Sequence, residues 1–335
     1  MNNLLFYPSQ LLSIGTLACM LLAAIAPGAR ANDDEEDPET PPSVQAPSKP
    51  KKPKPAPTPL APIPGVRLEQ NVEFLPPLEG KPRKEKADLY FPENVTAGQK
   101  LPAVIIIHGG GFNDGDKAKR REINIGTNLA RNGYVGMSIN YKLRKTQGQV
   151  TWPRSVLDAK TSVQWLRGNA ERLGIDPDRI GVIGGSAGGN LAAMLALTQP
   201  KDGFEPTEGP HANQSTKVNC AIDLYGAVNL MTYHDMKMFG GVSREEAPEL
   251  YIKASPTTYV HKASPPLLLI HGDADDVVKL DQSEILAKKL LEVGAPHELV
   301  VVKDGPHTFH LEDHIDLRPK VIGFFDQHLK GMPAR

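Results

Sequence analysis

A glycine-rich stretch around Ser186 constrains the fold of this chain more than any other feature. The apolar run 180–183 is followed by Gly-Gly-Ser-Ala-Gly-Gly at 184–189, and an Ala/Leu-rich segment over 191–197 comes next. The pattern predicts a buried strand, a sharp turn with Ser186 at its apex, and a helix that begins at once. Glycine is needed on both sides of the serine, because a β-carbon there would collide with the strand or the helix. The stretch therefore predicts a serine hydroxyl held out at the carboxyl edge of a sheet, close to a helix N-terminus.

The rest of the chain alternates between strand and helix patterns. Strands are predicted near residues 66–75, 87–91, 101–107, 134–139, 180–183, 218–225, 265–270 and 297–302, and those at 101–107 and 134–139 are predicted to be buried. Helices are predicted at 124–132, at 151–173 with Thr151 as its cap, at 191–197, at 282–293 with Asp281 as its cap, and around 322–329; a turn is predicted at 176–178. This alternation is typical of right-handed βαβ units. The predicted fold class is therefore α/β, a mostly parallel central sheet with helices on both faces.

One interval, residues 226–262, interrupts the alternation. Its large apolar side chains either line an acyl pocket or pack a small lid, and they are Met231, Tyr233, Met236, Met238, Phe239 and Tyr251. The pattern favours the lid.

The N-terminal 64 residues differ from the rest of the chain. Residues 11–26 are apolar but short for a membrane span, and the Ala-Arg-Ala at 29–31 is typical of a cleavage site. We therefore predict a signal peptide over 1–31 and an exported protein, periplasmic or extracellular. Since no Lys or Arg precedes the apolar run, an uncleaved membrane anchor is the alternative. Residues 32–64 are acidic and then rich in Pro and Lys, which predicts a disordered linker before a single domain over 65–335.

Charge and cysteine content exclude several classes of protein. The net charge is −1, so the chain has no basic excess to attract nucleic acid, and nucleic acid is not an expected partner. Of the two cysteines, only Cys220 remains after cleavage of the predicted signal peptide. No intramolecular disulfide can then form, so a packed core must stabilise the domain.

A serine at such a turn becomes a nucleophile only if an oriented base removes its proton. In a parallel sheet these partners belong in loops after later strands, at the same carboxyl edge. The loop after the seventh predicted strand carries Asp275 as the expected orienting carboxylate, with Asp276 and then Asp273 as alternatives. The loop after the eighth carries His307, which directly follows a Gly-Pro turn and is preferred as the base over His310.

A second glycine-rich segment, His-Gly-Gly-Gly-Phe at 108–112, follows the third predicted strand. Three glycines in a row allow backbone amides to turn into a cleft. We expect the amides of Gly110 and Gly111 to join that of Ala187 in an oxyanion hole.

Histidines near the C-terminus raise the question of a metal site. His307, His310 and His314 could surround a cation, but their spacing lacks the His-Glu-x-x-His pattern. We therefore predict neither a metal nor another cofactor.

These motifs together resemble those of the α/β-hydrolase superfamily, and in particular its hormone-sensitive-lipase-like esterases. The similarity is greatest to the bacterial feruloyl- and acetylxylan-esterase-like group. The resemblance covers about residues 66–330, and its strongest segments are 108–112, 115–117, 138–143, 152–158, 174–180, the Ser186 turn, His271-Gly272, Asp275 and His307.

The resemblance implies an α/β-hydrolase fold with a Ser-His-Asp triad. By position, Ser186 is then the nucleophile, Asp275 the orienting residue and His307 the base, with oxyanion donors at Gly110, Gly111 and Ala187. The chain departs from the family pattern in two places. The proline-rich linker stands in place of N-terminal lid helices, and Thr308 stands where a glycine often follows the histidine.

The sequence thus predicts an exported serine ester hydrolase, and the resemblance implies acetyl or feruloyl esters of polysaccharides as substrates. A peptidase is one alternative, because the same triad cleaves amides. A non-catalytic binding module on the same fold is another. The expected partner is a small-molecule or polysaccharide ester; a membrane is expected only if the N-terminal segment stays uncleaved, and the number of subunits is left open.

Overall fold

The computed structural model describes residues 61–96, 98–308 and 316–333. The predicted signal peptide and the predicted linker as far as residue 60 lie outside the described residues, as do His310 and His314. Within these ranges, no helix has the length and apolar character that a membrane crossing requires.

The described residues form one eight-stranded sheet. Its strands are β1 (Val66–Val72), β2 (Ala87–Pro92), β3 (Leu101–Ile107), β4 (Val135–Ile139), β5 (Ile175–Gly185), β6 (Cys220–Leu224), β7 (Leu267–Gly272) and β8 (His297–Val302). Their order is β1-β2-β4-β3-β5-β6-β7-β8. The β1–β2 and β2–β4 pairs are antiparallel, and every other pair is parallel. The predicted mostly parallel sheet is confirmed.

Helices cover both faces of the sheet, as predicted. They are α1 (Arg120–Arg131), α2 (Arg154–Gly168), α3 (Ala170–Leu173), α4 (Ala187–Leu197), α5 (Pro248–Lys253), α6 (Asp281–Glu292) and α7 (Arg318–Lys330). The apolar residues of α1 and α7 pack in one cluster, and those of α2, α4 and α6 pack in another on the opposite face. Each connection between parallel strands therefore returns along one face of the sheet, and the carboxyl ends of β3, β5, β6, β7 and β8 meet at one edge.

The position of β3 in the middle of the sheet explains why its sequence is a continuous apolar run. Ala103, Ile105 and Ile107 belong to the cluster on one face, and Val104 and Ile106 belong to the cluster on the other. Each of these side chains is at most 1% exposed. A strand covered on both faces has no solvent side on which a polar residue could alternate.

Three helix predictions were wrong in detail. Helix α1 begins at Arg120, four residues before the predicted start at 124, because its first turn carries charged side chains in place of apolar ones and no side chain caps it. The predicted helix 151–173 is two helices that meet at Asn169. Thr151 is not its cap, since its hydroxyl is buried without a partner among the described residues, and Pro153 occupies the N-cap position.

The predicted cap of α6 was also wrong. Leu280 occupies the N-cap position and no side chain caps the helix, whereas Asp281 lies inside the first turn. A carboxylate in the first turn still interacts favourably with the helix dipole. The turn predicted at 176–178 is present as an irregularity within β5, where Asp178 N donates to Asp176 Oδ1 at 3.0 Å.

The interval 226–262 holds α5 and a short 3-10 turn, Pro256–Tyr259. Met238, Phe239 and Tyr251 are buried, with ring centroids of Phe239 and Tyr251 4.6 Å apart. Tyr233 and Met236, of which Met236 is also buried, line the cleft described below. The interval therefore combines the two predicted possibilities, a packed cover at one end and a cleft wall at the other.

Candidate active site

Ser186 occupies the sharp turn between β5 and α4 that the glycines predict. Its backbone is left-handed, with φ of 58° and ψ of −122°, an uncommon conformation for a residue with a β-carbon. A β-carbon at Gly184 would collide with the carbonyl oxygen of Gly188, and one at Gly188 would collide with that of Ile107. Ser186 N donates to Leu224 O at 2.8 Å, which ties the turn to the end of β6.

The structure brings the three predicted triad residues together. His307 Nε2 lies 3.0 Å from Ser186 Oγ, and His307 Nδ1 lies 2.7 Å from Asp275 Oδ2. These side chains follow β5, β7 and β8, so the common carboxyl edge of the sheet is what unites residues that lie far apart along the chain. An imidazole with a serine hydroxyl on one nitrogen and a carboxylate on the other is arranged to accept a proton from that hydroxyl.

Asp275, and neither alternative, contacts the imidazole. Asp275 is 3% exposed, and its Oδ1 accepts from the amides of Val277 and Val278 at 2.9 and 2.8 Å, which leaves Oδ2 for His307. Asp276 is exposed. Asp273 Oδ1 accepts from Asp304 N at 2.6 Å, so this carboxylate binds the loop backbone.

The glycine loop after β3 borders the Ser186 turn. Gly110 and Gly111 have φ of +120° and +58°, values that side-chain-bearing residues rarely adopt. Among the described residues, nothing accepts a hydrogen bond from the amides of Gly110, Gly111 or Ala187, and these three residues line the same cleft as Ser186. The loop is anchored from outside, because Tyr141 Oη donates to the carbonyl of residue 108 at 3.0 Å. Backbone amides without an acceptor, in the same cleft as Ser186, are available to bind a negatively charged oxygen.

A buried ion pair, missed by the sequence reasoning, forms the wall beside the imidazole. Arg121 Nη1 donates to Tyr225 Oη at 2.7 Å and its Nε donates to Glu122 Oε1 at 2.9 Å. The ring of Tyr225 is 5.0 Å from that of His307 and meets it edge to face. Burial opposes the charge on Arg121, but Tyr225 and Glu122 outweigh it and hold the pKa of Arg121 above its ordinary value. The sequence does show Arg121 and Glu122 as neighbours, but the helix predicted to start at 124 did not include them.

These groups line a cleft with a volume of about 740 Å³. The glycine loop forms one side, and the segment 233–237 with Val277 forms another. Tyr233 Oη donates to Val277 O at 3.2 Å, which joins the two parts of this second side. Thr308, the departure from the family pattern, also lines the cleft. In the part of the chain that the structure describes, no three His, Cys, Asp or Glu side chains are close enough to hold a metal ion.

Asp223 is a second acidic group close to the Ser186 turn, and it is fully buried in β6. Its Oδ1 accepts from Gly226 N at 2.8 Å, whereas no described residue bonds to its Oδ2. Burial raises the pKa of Asp223 to about 7, well above its ordinary value of 3.8. Ionising this carboxyl in the folded state is therefore costly.

Replacing Asp223 with asparagine is expected to stabilise the protein more at high pH than at low pH. A carboxyl whose folded pKa is raised contributes stability below its unfolded pKa, and this contribution is lost as the pH rises towards about 7. The difference in unfolding free energy between variant and native should therefore increase by ~3 kcal/mol from about pH 5 to about pH 8. Urea unfolding at both values measures it, with Asp276→Asn as an exposed control. Parallel pH dependences of Asp223→Asn and native protein would contradict this.

The fold and the site define the protein as an α/β-hydrolase. The BD-FAE family model matches residues 87–290, more than half of the sequence, and the chain belongs to that family, within an α/β-hydrolase esterase group. The resemblance noted from the sequence is thereby confirmed.

Individual proteins agree with this placement. Esterase LipQ of Mycobacterium tuberculosis is 31% identical over 240 residues, which are 69% of this chain and 55% of LipQ. The chain spans about half the length of the curated relatives it matches. A truncated carbohydrate esterase from gut microbiota superposes with a TM-score of 0.68 at 26% identity, over 79% of this chain and 96% of the other. A butyrate-bound esterase from Thermogutta terrifontis, with a TM-score of 0.64 at 24% identity over 80% of this chain and 94% of that one, agrees in fold.

Proposed function

We propose that this protein is a serine carboxylic-ester hydrolase that acts through Ser186, His307 and Asp275. The observation that carries the proposal is the continuous contact from Asp275 Oδ2 to His307 Nδ1 at 2.7 Å and from His307 Nε2 to Ser186 Oγ at 3.0 Å. His307 takes the proton of Ser186 as Oγ attacks the ester carbonyl carbon, and Asp275 stabilises the imidazolium that forms. The negative oxygen of the tetrahedral intermediate accepts hydrogen bonds from the amides of Gly110, Gly111 and Ala187.

The second half of the cycle uses the same groups. The imidazolium of His307 gives its proton to the departing alkoxide, and the alcohol leaves an acyl group on Ser186. Water then enters, gives a proton to His307 and attacks the acyl carbon, and the serine takes the proton back as the acid departs. Removal of one oxyanion donor typically costs 10²–10³-fold in kcat, so the glycine loop is an essential part of the site.

For the substrate we propose esters of carbohydrates with acetyl or feruloyl acyl groups. The support is the superposition on the truncated carbohydrate esterase, together with an open cleft whose mouth carries polar and aromatic side chains next to the triad.

We further propose that the chain is exported and that its mature form begins at Asn32. N-terminal sequencing of protein recovered from outside the cytoplasm tests this, and a retained residue 1 would contradict it.

A substrate panel tests the proposed function. Purified protein is given nitrophenyl esters from acetate to octanoate, the matching nitroanilides, and acetylated and feruloylated oligosaccharides. We expect hydrolysis of short esters and of at least one oligosaccharide ester, and no comparable cleavage of amides. Amide cleavage that matches ester cleavage would favour a peptidase, and failure to hydrolyse any ester would favour a binding module.

A further inference from the structure

A second histidine, His271, lies behind the carboxylate of the site. It is the next-to-last residue of β7 and is 0% exposed, and it does not line the cleft. Its Nδ1 is 2.7 Å from Ser283 Oγ on α6, and its Nε2 is 2.8 Å from Val278 O. The same Nε2 lies 3.3 Å from Asp275 Oδ2, the oxygen that contacts His307. No step of the proposed reaction involves His271.

These neighbours determine the tautomer of His271. Both groups that face Nε2, the Val278 carbonyl and the Asp275 carboxylate, are acceptors only. Nε2 must therefore carry the hydrogen, since a lone pair there would face two oxygen atoms. Nδ1 is then free to accept the hydrogen bond that the Ser283 hydroxyl can donate. Burial lowers the pKa of His271, which agrees with a neutral ring that has one N–H.

The hydrogen bonds of the His271 ring fix the loop that carries Asp275. Val278 N donates to Asp275 Oδ1 at 2.8 Å, and Val278 O accepts from His271 at 2.8 Å. Asp275 Oδ2 consequently lies between two imidazoles, one of which is fixed to α6 through Ser283. A carboxylate held at both oxygens has a single direction in which to face His307.

We propose that His271 is a positioning residue for the reaction: as the neutral Nε2–H tautomer fixed by Ser283, it holds the Asp275 loop so that Oδ2 faces His307. The proposal rests on the proposed ester hydrolysis by Ser186. Because His271 does not touch the cleft, loss of its hydrogen bonds should affect the chemical step and not substrate binding. The expected signature is a lower kcat with an unchanged KM.

Two substitutions at position 271 separate the hydrogen bond from simple packing. His271→Gln keeps an N–H donor at about the distance of Nε2, whereas His271→Leu fills a similar volume without a donor. Ser283→Ala removes only the partner of Nδ1. Ser162→Ala is the matched control, a buried serine on α2 whose Oγ donates to Ala159 O at 2.6 Å. Steady-state kinetics with a short nitrophenyl ester are measured well below each variant's melting temperature.

We expect His271→Leu to lower kcat by about tenfold or more, with KM within about twofold of native. His271→Gln should recover most of that loss, Ser283→Ala should lose severalfold, and Ser162→Ala should match the native kcat. A folded His271→Leu variant with native kcat would overturn the proposal, as would equal losses in the Gln and Leu variants. If the Leu variant does not fold, Ser283→Ala decides, and a native kcat for it would overturn the proposal. Absence of Ser186-dependent turnover in the native protein would instead contradict the proposed function itself.

Discussion

Replacing Ser186 with alanine is expected to lower kcat/KM for a short-chain nitrophenyl ester by about 10⁴-fold or more. Ser186 Oγ is the hydroxyl that lies 3.0 Å from His307 Nε2, so without it the imidazole has no nucleophile to activate. The proposed oxyanion donors remain in the variant and should leave a residual rate above that of water alone. The left-handed backbone at 186 is equally available to alanine and serine, so the folded structure should be retained.

The control for this variant is Ser162→Ala, which removes a buried hydroxyl on a different element. Circular dichroism and thermal melting verify that both variants fold, and initial rates are compared at one enzyme concentration. A folded Ser186→Ala protein that keeps more than about a tenth of the native kcat/KM would contradict a serine mechanism.

Replacing Asp275 with asparagine is expected to lower kcat by roughly 10³–10⁴-fold, although the side chain keeps its shape. The amides of Val277 and Val278 both donate to Oδ1, so an asparagine must place its carbonyl oxygen there and its NH₂ group at the position of Oδ2. That NH₂ would donate to His307 Nδ1 and so force the hydrogen of the neutral ring onto Nε2. An Nε2–H cannot accept the proton of the serine, so the base is lost while the geometry persists.

The neighbouring carboxylate supplies a matched control. Asp276 is exposed, and Asp276→Asn should retain native kcat within about twofold. Single-turnover kinetics on the two variants distinguish loss of acylation from loss of binding. A native kcat in a folded Asp275→Asn protein, or a large loss in Asp276→Asn alone, would show that the orienting carboxylate is not Asp275.

The positions of the candidate site could be predicted from the sequence because they depend on local rules. A tight turn that needs flanking glycines marks Ser186, and strand ends in a parallel sheet mark the loops of Asp275 and His307. Asp273, the last of the three predicted alternatives, directly follows β7, and its Oδ1 accepts from Asp304 N at 2.6 Å.

Contacts that form only in the folded chain could not be predicted from the sequence. The role of the Arg121–Glu122 pair could not be predicted, because Tyr225, whose hydroxyl accepts from Arg121, is 104 residues away in sequence. The sequence places His271 at a strand end, but only folding brings Ser283 of α6 next to its Nδ1. Helix starts at Arg120 and Asp281 were misplaced for a related reason, since no side-chain cap marks either of them.

The most direct test of the proposed mechanism is covalent modification with diethyl 4-nitrophenyl phosphate, followed by intact mass measurement and peptide mapping. A serine activated by an imidazole should displace nitrophenolate and retain one diethylphosphoryl group per chain. The proposed mechanism predicts that this group is on Ser186 and that His307→Ala slows its attachment by orders of magnitude. A native, folded protein that acquires no such group, or acquires it on a residue other than Ser186, would contradict it.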